Sequence, residues 1–129
     1  MKNIQLFNDD CLKVLKSIPE KSVDLIFADP PYNLSGEGYL TTQNGKVAKL
    51  HKGDWDVIED IHKFNEDWIR ECVRVLSDTG TIWISGTLHN HPSVGVVLKK
   101  LGLWIINDVI WFKRNATPLL SSNRLAPST

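Results

Sequence analysis

The sequence predicts an α/β fold with a largely parallel sheet, on three observations. Apolar runs of strand length alternate with segments whose apolar residues recur at helical spacing. One run, residues 23–28, is almost continuously apolar, as a strand buried on both faces reads. Strand, helix and strand succeed one another within the first 30 residues, the spacing of a βαβ-type unit.

Taken in order, Asn3-Ile4-Gln5-Leu6-Phe7 reads as a short strand that ends in the acidic turn Asn8-Asp9-Asp10. Cys11, Val14, Leu15 and Ile18 follow at i, i+3, i+4, i+7, so a helix is expected with Asp9 or Asp10 as its cap. Pro19-Glu20-Lys21-Ser22 is a turn, and Val23 to Ala28 is the buried strand, which ends at Asp29. Residues 33–54 mix Gly36, Gly38, Gly45 and Gly53 with polar residues and show no periodicity, which predicts a long, mobile loop. A helix is expected to resume near Asn65, with Glu66 and Asp67 in its first turn and Ile69, Cys72, Val73 and Leu76 inward. Asp78-Thr79-Gly80 turns into a strand over residues 81–85. A further helix starts about Pro92, buries Val94, Val97, Leu98 and Leu101, and is capped by Gly102. A last strand runs from Trp104 to Phe112, before a polar tail. The five tryptophans are expected mostly in the core, with Trp55 the exposed one because acids flank it.

A chain of 129 residues, 42% hydrophobic and 23% charged, can bury a real core as one domain. That composition excludes collagen-like, disulfide-framework and disordered classes. No apolar run approaches the roughly 18–20 residues of a membrane span, and the N-terminus lacks an apolar signal core. Cys11 and Cys72 fit buried, reduced thiols, so the cytoplasm is the expected location. With His89 and His91 they lack zinc-ligand spacing, and no metal is expected. The net charge of zero excludes holding nucleic acid by bulk charge alone. It hides an uneven distribution: seven acids against two bases over residues 54–71, and three bases with no acid over 113–129. The basic end leaves room for an anionic partner.

The chemistry concentrates in Ala28-Asp29-Pro30-Pro31-Tyr32-Asn33. Ligands of open α/β sheets bind beyond the carboxyl ends of strands, where Asp29 is expected. Two prolines lock φ and remove N–H donors, leaving the Asp29 carboxylate and the Pro30 carbonyl as neighbouring acceptors. Followed by an aromatic ring, they suit a flat group carrying –NH₂, such as a nucleobase with an exocyclic amine. Hydrogen bonds to both N–H groups would hold that nitrogen nearer tetrahedral, with its lone pair aimed at an electrophile. In a duplex the base must first flip out, and stacking on Tyr32 would offset part of the unstacking.

Asp-Pro-Pro-Tyr after a buried strand resembles the catalytic motif of amino-group DNA methyltransferases that use S-adenosylmethionine, in their permuted β-type group. The resemblance extends over Lys52-Gly53-Asp54-Trp55-Asp56, Phe64-Asn65 with Trp68-Ile69, and Trp83-Ile84-Ser85-Gly86 with Leu88-His89-Asn90. It is closest to the adenine-N6 enzymes of GATC restriction–modification systems, including those that also act on single strands. It implies part of a Rossmann-like class I methyltransferase fold. Asp29, Pro30, Pro31 and Tyr32 become catalytic, and Asp10, Cys11 and Asp29 stand beside the cofactor. Asn33, Lys52, Lys113, Arg114 and Asn115 fall near DNA, residues 113–129 open a DNA-reading segment, and a homodimer is allowed. Asp10 reads equally as a plain helix cap.

One departure bears on the whole. The family's glycine-rich Phe-x-Gly-x-Gly-type turn, which takes the methionine end of the cofactor, is absent, and Gly36-Glu37-Gly38 is no substitute. The strands after that turn would lie between the first strand and the one ending at Asp29. The sheet is therefore expected to be incomplete and the chain to be the N-terminal part of a larger enzyme. The alternatives are a cytosine-N4 methyltransferase, a methyltransferase of glutamine amides or RNA, and a nucleic-acid-binding remnant without catalysis.

Overall fold

The computed structural model describes residues 3–33, 54–88 and 90–111, and the backbone of residues 39–41 and 47–49. The elements are α1 (Cys11–Ser17), β1 (Val23–Ala28), β2 (Tyr39–Thr41), β3 (Val47–Lys49), a 3₁₀ turn (Asp54–Asp56), α2 (Ile61–Val75), β4 (Leu76–Ile84) and α3 (His91–Lys100). β1 and β4 pair in parallel, with Leu25 opposite Thr81, Ile26 opposite Ile82, Phe27 opposite Trp83 and Ala28 opposite Ile84. α2 is the crossover between them, so the predicted α/β class is what the chain adopts.

The sheet alternates its side chains. Ile26, Ala28, Ile82 and Ile84 pack on a core of Trp68, Ile69 and Cys72 from α2 and Val94 and Val97 from α3, joined by Leu12 and Leu15 of α1. The three helices among the described residues thus cover one face. On the opposite face Leu25, Phe27 and Trp83 are 61%, 72% and 51% exposed, which corrects the expectation that β1 is buried on both sides. A parallel sheet normally carries helices on both faces, and here only one layer is present among the described residues.

Several boundaries move, each for a physical reason. Residues 3–7 and 104–111 are not strands. A strand exists by pairing its N–H and C=O groups, and the main chain of neither segment forms a ladder with β1 or β4. Residues 104–109 instead line a groove shared with β4 and α3. α2 begins a turn before Asn65, because Asp60 accepts from the Lys63 N–H at 2.9 Å and serves as the cap. The Asp78-Thr79-Gly80 turn lies inside β4 as a bulge, the register jumping between the Val23–Leu76 and Leu25–Thr81 pairs. Within the expected loop, β2 and β3 form a short antiparallel ladder built on Tyr39, Leu40, Thr41 and Val47, residue types that favour strands. Cys11 is exposed, and of the five tryptophans only Trp68 is buried; Trp104 and Trp111 are more exposed than Trp55.

The turn at residues 19–22, by contrast, forms as expected and is docked. Lys21 (φ 51°) and Ser22 donate their backbone N–H groups to the carbonyls of Arg74 and Val75 at 3.0 and 2.8 Å. Arg74 in turn donates to the carbonyls of Ile18 and Leu15 at the end of α1, at 3.1 and 2.7 Å. These bonds fix where β1 starts, and so where Asp29 comes to stand. No described helix is long and apolar enough to cross a membrane.

Candidate active site

Asp29 follows the last residue of β1, at the carboxyl end of the parallel pair. It is exposed, while Pro30, Pro31, Tyr32 and Asn33 are half-buried. One carboxylate oxygen, Oδ1, accepts two hydroxyl donors. Ser85 Oγ, at the end of neighbouring β4, donates at 2.5 Å, and the Tyr32 hydroxyl donates in a short bond. The two hydroxyls lie 3.1 Å from each other, which closes a triangle. Ser85 is itself fixed, its N–H donating to the Ala28 carbonyl at 2.9 Å as the ladder's last bond. Burial, and then the Asp29 carboxylate, hold the Tyr32 phenol above its ordinary pKa, so it is protonated and a donor at neutral pH.

Beyond the prolines the chain turns on a buried carboxylate. Asp56 is 1% exposed, and its Oδ1 accepts the N–H groups of Tyr32 at 3.0 Å and Asn33 at 2.9 Å. Asn33 adopts φ 56°, a left-handed conformation that asparagine tolerates better than most residues. Its side chain donates to the Ile58 carbonyl at 3.0 Å and accepts from the Ile58 N–H at 2.9 Å. Residues 33 and 58 are thereby joined.

A family model of the N6/N4 DNA methylases matches residues 23–129. The chain belongs to the DNA methylase family. Three relatives are type II methyltransferases. M2.DpnII of Streptococcus pneumoniae is 45% identical over 127 residues, covering 96% of this chain and 47% of that protein. M2.LlaDCHI of Lactococcus lactis subsp. cremoris is 44% identical, over 99% of this chain and 48% of its own. M2.MboI of Moraxella bovis is 42% identical, over 93% and 45%. The chain thus spans about half the length of these curated relatives.

Of the residues singled out from sequence, Asp29, Pro30, Pro31, Tyr32 and Asn33 form one continuous site at the end of β1. Asp10 and Cys11 stand on a separate element, at the start of α1. There Asp10 caps the helix, Oδ1 accepting from the N–H groups of Leu12 at 2.8 Å and Lys13 at 3.3 Å. A carboxylate keeps acceptor capacity beyond one such cap, and Cys11 carries one of the first-turn N–H groups that a helix leaves without an internal partner. The pair therefore still fits the edge of an adenine ring. Lys52, Lys113, Arg114 and Asn115 lie outside the described residues. Sequence reasoning assigned no role to Ser85 or Asp56. Ser85 was legible as the polar residue that ends a strand parallel to β1; Asp56 is one of seven acids in residues 54–71, and nothing in that run singles it out.

Proposed function

We propose that the protein carrying this chain is a DNA methyltransferase that methylates N6 of adenine from S-adenosylmethionine, within a restriction–modification system. The observation that carries the reading is Asp29, held by Ser85 at the carboxyl end of the β1–β4 pair, followed by a rigid Pro-Pro step and an aromatic ring. Bound S-adenosylmethionine supplies a methyl group open to attack by an amine. Asp10 and the Cys11 N–H would hold its adenine edge as acceptor and donor, and Asp29 is assigned to the cofactor side of the site as well. The Asp29 carboxylate and Pro30 carbonyl accept the two N–H bonds of the target amine, localise its lone pair, and stabilise the positive charge that grows on nitrogen. Pro31 keeps the acceptors rigid, and the Tyr32 ring stacks on the flipped base. Asn33, Lys52, Lys113, Arg114 and Asn115 are assigned to DNA, with 113–129 as the start of its reading segment. The cytoplasm is the assigned location.

The test is incubation with radiolabelled S-adenosylmethionine and unmethylated DNA, followed by nucleoside chromatography. Labelled N6-methyl-2′-deoxyadenosine is expected, and labelled N4-methyl-2′-deoxycytidine would move the assignment to the other amine. Asp29→Ala is expected to abolish transfer while cofactor binding, measured by calorimetry, persists. Unchanged methylation in that variant removes Asp29 from the mechanism.

A further inference from the structure

We propose that Asp56 is a positioning residue of this site. Its carboxylate anchors the main chain of Tyr32 and Asn33 and so sets where the Tyr32 ring stands relative to Asp29. For its catalytic consequence the inference rests on the reaction proposed above; for the anchoring it rests on geometry alone. Pro30 and Pro31 have no N–H, so the first main-chain donor after Asp29 is Tyr32. That donor and the next, Asn33, converge on the same oxygen of Asp56, at 3.0 and 2.9 Å. Consecutive N–H groups turned to one side form a concave anion site, and the φ of 56° at Asn33 belongs to that turn. A carboxylate that is 1% exposed is stable only when hydrogen-bonded, and these charge-assisted bonds are the strong kind.

The geometry makes the anchor directional. With φ fixed at Pro30 and Pro31, little torsional freedom separates Asp29 from the Tyr32 main chain. Ser85 holds the Asp29 end and Asp56 holds the Tyr32 end, so the acceptors and the stacking ring are clamped from two elements. The Asn33–Ile58 bonds brace the 3₁₀ turn that carries Asp56. Asp56 therefore acts through Tyr32 and touches no reacting atom.

The full-length protein is compared with its Asp56→Ala and Asp56→Asn variants, with Asp29→Ala alongside, by amide hydrogen exchange and steady-state kinetics. In Asp56→Ala, exchange at Tyr32 and Asn33 is expected to rise at least about tenfold, as losing a charge-assisted bond allows, with α2 unaffected. The kcat is expected to fall by about 10- to 100-fold while KM for S-adenosylmethionine stays within about twofold. Asp56→Asn keeps an acceptor oxygen and is expected to recover at least about half of the logarithmic loss; it carries the test if the alanine variant does not fold. Unchanged exchange at Tyr32 and Asn33 overturns the anchor. Protection lost equally across α2 makes Asp56 a folding residue and also overturns it. Wild-type kcat in Asp56→Ala with an inactive Asp29→Ala overturns this inference alone. No methylation by the wild type overturns the proposed reaction and the catalytic half of the inference, and the exchange data still decide the anchor.

Discussion

Asp29 Oδ1 receives two hydroxyl donors, and one of them belongs to the ring assigned to stack on the base. A target amine reaching that oxygen must displace the Tyr32 hydroxyl, whereas Ser85 can keep its bond. Tyr32→Phe removes the competing donor and keeps the ring, so single-turnover methylation is expected within about fivefold of wild type. Tyr32→Ala removes the ring, and the lost stacking of about 1–3 kcal/mol should lower the same rate by about 5- to 150-fold. The thiols give a second prediction. Burial, and next the neighbouring Cys11, push the Cys72 pKa from 9.0 up to about 11. Below pH 9 the thiol is protonated in both folded and unfolded chains, so its contribution to stability is intact there. It is lost as pH rises from 9 through 11, because the unfolded thiol ionises first. The urea midpoint should fall more steeply over that window in the wild type than in Cys72→Ala. At this scale the motif was legible because the Asp-Pro-Pro-Tyr chemistry is local. Ser85 and Asp56 come from 56 and 24 residues away, and only the fold pairs them with their partners.

Within α2, Asn65 looked like a cap because acids follow it, and it is instead part of the core. It is fully buried, donates to Ser93 Oγ at 3.0 Å and accepts from the Trp68 indole at 3.1 Å; Ser93 continues to His62 Nδ1 at 3.0 Å. Asn65→Ala leaves the Trp68 indole without this acceptor and Ser93 with His62 alone of these two partners, inside the α2–α3 contact, and should destabilise by about 2–4 kcal/mol in urea unfolding. Asp60→Ala removes only an exposed cap and should cost about 1 kcal/mol by the same measurement. The acids after Asn65 serve surface pairs, Lys63 with Asp67 at 2.7 Å and Glu66 with Lys100 at 2.6 Å. The helical periodicity of α2 was therefore readable, and its first turn was not, since Asp60 and Asn65 are both good caps by type. Strand composition at residues 3–7 and 104–112 was readable too, but composition does not supply a neighbour to pair with.

Among the described residues, three helices cover one face of the β1–β4 pair and leave Leu25, Phe27 and Trp83 open on the other. A contiguous apolar face of this kind binds hydrophobic probes. The 129-residue chain is expected to enhance the fluorescence of an anilinonaphthalene dye, and Phe27→Ser with Trp83→Ser should reduce the enhancement. The alternation of strands and helices that set the fold class survives in the structure, as does the placing of Asp29 at a strand's carboxyl end. Coverage of the second face was not legible, because an apolar run reads the same whatever lies against it. The junction of Asn33 with Ile58 has one more consequence. Because Asn33 and Ile58 are joined and Asp56 ties the 3₁₀ turn to Tyr32, residues can be inserted or deleted between positions 34 and 51 without shifting Asp29 or Tyr32. Doubling such an excursion adds only about 0.6 kcal/mol of closure entropy. Descendants of this gene are thus free to lengthen or shorten residues 34–51, provided that Asp56 is inherited with the chemistry it positions.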